Sequence, residues 1–258
     1  MITFANSLQN YCIKFIKNRI IIIAKKLKAL LLSAGLGTRL RPLTFTTPKC
    51  LVEINGEPLL INWLKKLEEV RCDEVLINTH YLSSQVEKVI QKWEGGNMKI
   101  TISYEKELLG TAGTLRKNLT LFKNSDTLFI HADNYTDLNL KEFLDSFYKK
   151  NEKCLLSMVT FLSKQPERCG VIKTDSNGVL KEYFEKVPNP PSNIANGAIF
   201  AFDEKFLEIF SAMSPSYLDF CGEIIPKLKG KIQTYFTNSL FIDIGTPSSL
   251  KLAQKLFK

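Results

Sequence analysis

From residue 28 onward, short apolar runs alternate with stretches whose apolar residues recur every three or four positions. ALLLS (29–33) predicts a buried strand ending in a Gly-rich turn, and LLINWLKKLEEV (59–70) a helix. EVLINT (74–79) predicts a strand, residues 83–92 a helix, MKITISY (98–104) a strand, and a further helix starts near Thr111. TLFIHAD (127–133) predicts another buried strand and LKEFLDSFYKK (140–150) another helix. This alternation points to a Rossmann-like α/β fold: a mostly parallel mixed sheet with helices on both faces. Beyond about residue 150, CLLSMVTF, GVIKT, GVLKEYF and NIANGAIFAF are separated by Gly, Asn and Pro turns. They predict antiparallel ribbons added beside the first sheet, with KVPNPPSN (186–193) as a Pro-rich loop. Residues 28–258 therefore read as one domain.

Residues 1–27 form a basic, Ile-rich N-terminal extension. Its longest apolar run, Ile20–Ala24, is far short of the ~20 residues that span a bilayer. A signal peptide would need a longer apolar core and a small-residue cleavage site. Residues 11–27 could form a basic amphipathic helix on anionic lipid, but the expectation is a dispensable extension and no membrane partner.

Charge sharpens this division. Of the formal net charge of +9, residues 1–28 hold +6 with no acidic group, leaving a nearly neutral body. A nucleic-acid binder carries its basic stripe on the folded body, so nucleic acid is not an expected partner. With 45% hydrophobic and 24% charged residues in 258, disordered and disulfide-scaffold classes are excluded. The six cysteines include no CxxC pair, which argues against a zinc site or redox dithiol and for a reducing, cytoplasmic setting.

The chemistry concentrates in SAGLGTRLRPLTFTTPKCLVEINGEPLL (33–60). Ala34, Gly35, Gly37 and Thr38 follow a predicted strand end, where α/β sheets bind ligands, and the glycines let backbone N–H groups cradle an anion. Arg39 offers a forked donor for phosphate oxygens and Lys49 a compact cation, on a loop stiffened by Pro42 and Pro48. Neither a Walker A motif nor GxGxxG is present. Gly110, Thr111, Ala112 and Gly113 are small enough for a base to lie against, and open a helix whose N-terminus favours phosphate. Asp133 ends a predicted buried strand and Asp243 sits in a polar turn; by composition alone each reads more readily as a cap or turn residue than as a metal ligand. Glu185 and Lys186 read, by themselves, as a solvated pair. His80 and His131 read as structural.

Gly35 to Thr44 with Pro48-Lys49 resembles the signature G-x-G-T-R-x-x-P-x-T…P-K of the sugar-1-phosphate nucleotidyltransferases, also called NDP-sugar pyrophosphorylases. ELLGTAGTL (107–115), HADN (131–134), CGVI (169–172), FEKV (184–187), NIANGAIFAF (193–202) and DIGTP (243–247) resemble later family segments in order. The resemblance implies a GT-A-like nucleotidyltransferase fold, with Arg39, Lys49, Asp133 and Asp243 catalytic and Asp133 and Asp243 holding Mg²⁺. It implies a nucleotide site at Ala34, Gly35, Gly37, Thr38, Arg39 and Gly110–Gly113. Asn134, Gly170, Glu185, Lys186 and Asn196 would bind the sugar phosphate. The sequence departs from the family at Ser33-Ala34, Ala132 and Val187, none of which removes a charged group.

The implied reaction joins an NTP to a sugar 1-phosphate, giving NDP-sugar and pyrophosphate. Gly110-Thr111-Ala112-Gly113 resembles guanylyltransferases acting on mannose or heptose 1-phosphates more than thymidylyl enzymes, which carry a Leu-Ala-Gln run there. The alternatives are cytidylyl, uridylyl or thymidylyl transfer to another sugar or small phosphate, or a non-catalytic NDP-sugar-binding regulator. Oligomeric state is not legible.

Overall fold

The structure, a computed structural model, describes residues 11–16 and 19–256, with side chains from Lys25 onward. Tyr11–Ile16 (β1) and Arg19–Ala24 (β2) pair antiparallel in a two-stranded sheet of their own. Over these residues the extension is paired strand and not a surface helix; for residues 1–10 and 17–18 the expectation lies outside the described residues. The main sheet starts at β3 (Lys26–Leu32), two residues before the boundary expected at residue 28. Leu27 is buried and its N–H donates to Asp73 Oδ2 at 2.8 Å, so it belongs to the body.

A short ladder of β4 (Glu53–Ile54) and β5 (Glu57–Pro58) leads into α1 (Leu59–Glu69). Next come β6 (Glu74–Thr79), α2 (Ser83–Gln91), β7 (Lys99–Tyr104), α3 (Gly110–Lys117), α4 (Leu119–Phe122) and β8 (Ser125–His131). Strands β8, β3, β6 and β7 are neighbours in that order and all parallel. After β9 (Asn134–Thr136) and α5 (Leu140–Phe147) come β10 (Leu156–Leu162), β11 (Gly170–Thr174), β12 (Leu180–Glu185) and β13 (Ile194–Phe202). The chain closes with α6 (Glu204–Ser211), β14 (Ile232–Thr237), β15 (Phe241–Asp243) and α7 (Pro247–Leu256). Strand β13 runs antiparallel to β8 and carries the β11–β12 hairpin and β10, which pairs in parallel with β14, completing a nine-stranded mixed sheet with a parallel centre.

The continuous apolar runs of β3, β6 and β8 follow from burial on both faces. Ala29 and Leu31 point into one core, with Trp63 and Leu64 of α1 and Phe143 and Phe147 of α5. Leu30 points to the other, with Leu115 of α3, Phe122 of α4, and Phe206 and Phe210 of α6. Each fully buried Leu or Phe contributes about 1.5–3 kcal/mol, so both layers hold the sheet firmly. The buried Trp63 also reaches the site: its Nε1 donates to the Asn134 carbonyl at 3.0 Å, fixing the start of β9.

Candidate active site

Parallel register brings the carboxyl ends of the central strands to one edge. Leu32 of β3 pairs with Asn78 of β6 on one side and with His131 of β8 on the other. The loops after β3, β7 and β8 therefore open side by side, as expected for a ligand site in such a sheet.

The loop after β3 is anchored where Ser33 N–H donates to Asn78 Oδ1 at 2.7 Å. Gly37 adopts φ 60°, and a Cβ there would lie 2.9 Å from Thr44 Cγ2, so the turn requires glycine. Thr44, buried, donates its hydroxyl to the Gly37 carbonyl at 2.7 Å and clamps the loop's two arms. Gly35, Leu36, Thr38 and Arg39 are exposed, leaving the loop free to meet a ligand.

Lys49 is the pivot. Its side chain is 9% exposed, and its Nζ lies 2.7 Å from Asp133 Oδ2 and 3.1 Å from Asp243 Oδ1. The carboxylates come from segments 110 residues apart, joined by backbone pairing. Asp243 of β15 is opposite Asn134 of β9, and Ile244 N–H donates to the Asp133 carbonyl at 3.2 Å. Strand β8 ends at His131, so Asp133 lies in the turn before β9 and not at the end of the buried strand as expected. Arg39 reaches Asp243 Oδ2 at 3.5 Å. Gly245 makes room for this contact, since a Cβ would lie 2.7 Å from Arg39 Nη2 and 2.8 Å from Asp243 Oδ1. Burial opposes charge at Lys49, but Asp133 and Asp243 outweigh it and raise its pKa above 10.5. Burial likewise opposes ionisation of Asp133, but the Lys49 ammonium and His131 outweigh it and hold the carboxyl below 3.8.

Between this cluster and α3 lies a pocket of about 250 Å³, lined by Ala34, Gly35, Lys49, Glu105, Leu108, Gly110, Thr111, His131 and Asp133. Its floor is a buried polar network. Glu105, 1% exposed, accepts from Asn78 Nδ2 at 3.0 Å, Thr114 Oγ1 at 2.5 Å and the Leu109 N–H at 3.1 Å. Gly110 (φ 73°) opens α3 and Thr111 faces the pocket, but the other two expected residues do not line it. Ala112 is fully buried and its N–H donates to the Leu218 carbonyl at 2.8 Å; Gly113 packs on Leu109 and Leu218. Both are small because the segment around Leu218 braces the helix there, not because a base must pass. A wider groove of about 640 Å³, lined by Glu142, Lys149, Lys150 and Tyr235, includes none of the motif residues.

On the other flank, Glu185 and Lys186 pair at 3.0 Å, with Lys186 exposed and left-handed at φ 48°. Gly170, expected to touch the sugar, is buried: a Cβ on it would lie 2.0 Å from the Tyr183 hydroxyl and 2.8 Å from Glu185 Oε2. Asn196 has its Oδ1 on the Ala198 N–H, and its Nδ2 is near Tyr183 Oη and Cys221 Sγ. Sequence reasoning overlooked Tyr183, Gly245, Asn78 and Glu105, which act through other residues and sit inside ordinary strand and turn patterns. His131 also lines the pocket, with its buried Nε2 lacking a partner, and burial lowers its pKa. His80 fits its structural reading, its Nδ1 lying 2.8 Å from the Glu105 carbonyl oxygen.

A family description, Nucleotidyl transferase, matches residues 28–257. The chain belongs to the nucleotidyl transferase family. It is 30% identical over 235 residues to "Mannose-1-phosphate guanylyltransferase catalytic subunit beta" of Drosophila melanogaster, covering 89% of this chain and 62% of that protein. It is 29% identical over 237 residues to "Mannose-1-phosphate guanylyltransferase 1" of Arabidopsis thaliana, covering 90% of this chain and 64% of that one. The chain thus spans less than two thirds of these relatives' length. Among solved structures, HddC of Yersinia pseudotuberculosis in complex with GMP-PN superposes with a TM-score of 0.74 at 24% identity, covering 90% of this chain and 99% of that one. That likeness supports the fold. This nucleotidyl transferase also brings together two carboxylates of the kind that fit a hard divalent cation. Two carboxylates already converge on one positive centre, the Lys49 ammonium. Among the described residues no cluster of three or more His, Cys, Asp or Glu forms. No helix among the described residues is long and apolar enough to cross a membrane.

Proposed function

We propose that the protein joins GTP to mannose 1-phosphate, or to a heptose 1-phosphate, giving the GDP-sugar and pyrophosphate. The observation that carries this reading is Lys49 seated between Asp133 and Asp243 at the mouth of a pocket walled by the glycine loop and the start of α3. An oxygen of the sugar phosphate attacks the α-phosphorus of the nucleotide, the bond from that phosphorus to the bridging oxygen breaks, and pyrophosphate leaves. The attacking phosphate is already anionic near neutral pH, so positioning and charge neutralisation carry the catalysis. Mg²⁺, when bound by Asp133 and Asp243, would neutralise phosphate charge and fix the oxygens' geometry. Lys49 neutralises the transferring phosphate, and Gly35 to Arg39 hold the leaving phosphates. Glu185 and Lys186 bind the sugar phosphate, with Asn196 behind them.

Support for GTP comes from the guanylyltransferase names of the relatives. Leu108, 45% exposed at the pocket, gives a flat base an apolar surface. A non-catalytic sensor has no need of a buried lysine between two carboxylates, which disfavours that reading. Pyrophosphate release measured across four NTPs and a panel of sugar phosphates tests the proposal. Release with no pair would refute the reaction, and a preference above tenfold for CTP, UTP or dTTP would refute the guanylyl assignment alone.

A further inference from the structure

Tyr183 lies on β12 two residues before Glu185, hence on the same face of the strand. It is 8% exposed, and its hydroxyl lies 2.5 Å from Glu185 Oε2 and 3.5 Å from Asn196 Nδ2. The direction of these bonds is set from the far end. Asn196 Oδ1 accepts the Ala198 N–H at 2.8 Å, so the amide presents Nδ2 to Tyr183. An amide nitrogen only donates; the tyrosine oxygen therefore accepts there and sends its single proton to Glu185. Burial, with Cys221 and Glu185 nearby, pushes the Tyr183 pKa far above its ordinary 10, so that proton stays in place.

Two backbone features serve this chain of bonds. Ala198 is left-handed, φ 54°, where β13 shifts register against β10 between the pairs Met158–Phe200 and Thr160–Asn196. The irregularity takes its N–H out of the ladder and gives it to Asn196. Gly170, opposite Glu185 in the β11–β12 pair, leaves the space that the tyrosine hydroxyl fills.

We propose that Tyr183 is the positioning residue of the sugar subsite: a one-way hydrogen-bond relay from Ala198 through Asn196 and Tyr183 aims the Glu185 carboxylate as an acceptor for sugar hydroxyls. Lys186 Nζ holds the other oxygen at 3.0 Å, and each oxygen keeps a lone pair for a ligand. Asn196 then acts through Tyr183, since its amide groups already have partners. The inference rests on the sugar 1-phosphate reading above.

The test is steady-state kinetics of the full chain and its Tyr183→Phe variant, with GTP, a panel of sugar 1-phosphates and deoxy analogues of the best one. The variant should raise KM for the sugar phosphate about tenfold, the usual size for a lost bond to a charged group. KM for GTP should stay within about twofold, the thermal midpoint should hardly move, and discrimination against a deoxy analogue should fall. A merely structural tyrosine would not produce that split. Asn196→Asp, whose carboxylate competes for the tyrosine proton, should raise the same KM, and the double variant should do no worse than either single one. An unchanged sugar-phosphate KM in an active Tyr183→Phe enzyme, or additive effects in the double variant, would overturn the relay. A wild-type chain that turns over no sugar phosphate would instead refute the reaction, and the relay with it.

Discussion

Replacing Lys49 with methionine keeps the buried stem and removes the charge between Asp133 and Asp243. The contacts at 2.7 and 3.1 Å put the two carboxylate oxygens within about 6 Å of each other. At an effective dielectric of about 20 their repulsion is about 3 kcal/mol, and nearer 1 kcal/mol once solvent screening at half-exposed Asp243 is counted. For a chain this size that lowers the thermal midpoint by about 2–4 °C at neutral pH. Millimolar Mg²⁺ should restore most of it, and should stabilise the variant more than wild type. The pH dependence has a definite sign. In wild type the lowered Asp133 pKa adds stability above pH 3.8, lost as pH falls through the folded-state value; the raised Lys49 pKa adds stability below pH 10.5, lost as pH rises through its folded-state value. Wild type is therefore flat through neutral pH as far as this pair is concerned, whereas the variant should gain stability on mild acidification. Turnover should fall about 10²–10³-fold, since stabilising charge on a transferring phosphate is commonly worth about 3–4 kcal/mol. Differential scanning fluorimetry with and without Mg²⁺, alongside pyrophosphate release, reads both effects. Turnover within tenfold of wild type would refute the catalytic role of Lys49, and an indifferent midpoint would refute the electrostatic one.

Asp243→Asn should cut kcat/KM by about 10²-fold or more with little loss of stability, and activity near wild type would remove Asp243 from the site. Gly245→Ala, whose Cβ would crowd Arg39 and Asp243, should lower kcat about tenfold with a far-UV spectrum like wild type; full activity would show that their contact is idle. Removing residues 1–24 should leave the thermal midpoint in place, whereas removing 1–27 should lower it by several degrees, because Leu27 is buried and Lys25 pairs with Asp126 at 3.4 Å. Cys50 and Cys72, thiols that burial pushes up to about 12, should resist iodoacetamide at pH 8 until the protein unfolds, as peptide mapping would reveal.

The elements most legible in the sequence were those buried on both sides or sharply periodic. EVLINT was read to the residue as β6, and the helix at 59–70 came within one residue of α1. Convergence of the motif residues was implied by their family spacing, yet what joins Asp133 to Asp243 was not. Strands β9 and β15 have three residues each, too few to show an alternating pattern, and their pairing spans more than a hundred residues. Tyr183 was hidden for another reason. In FEKV the charged pair draws attention, while a tyrosine in a strand looks like ordinary core until its hydroxyl is placed on a carboxylate. Ala112 misled in the opposite direction, since a small residue beside a ligand loop and one beneath a packed neighbour look alike in sequence.

The β9–β15 pairing makes the site sensitive to events far from it. Phe241 stacks on Phe161 of β10 with centroids 4.6 Å apart, and a Cβ at Gly197 of β13 would press on the Phe241 ring at 2.9 Å. The second carboxylate is thus borne on a three-residue strand seated on the antiparallel half of the sheet, while the first belongs to the parallel half. On the proposed reaction, variation in the distal half that leaves every phosphate-facing group untouched would still reach the chemistry by moving Asp243, so an inventory of site residues understates where this protein is vulnerable.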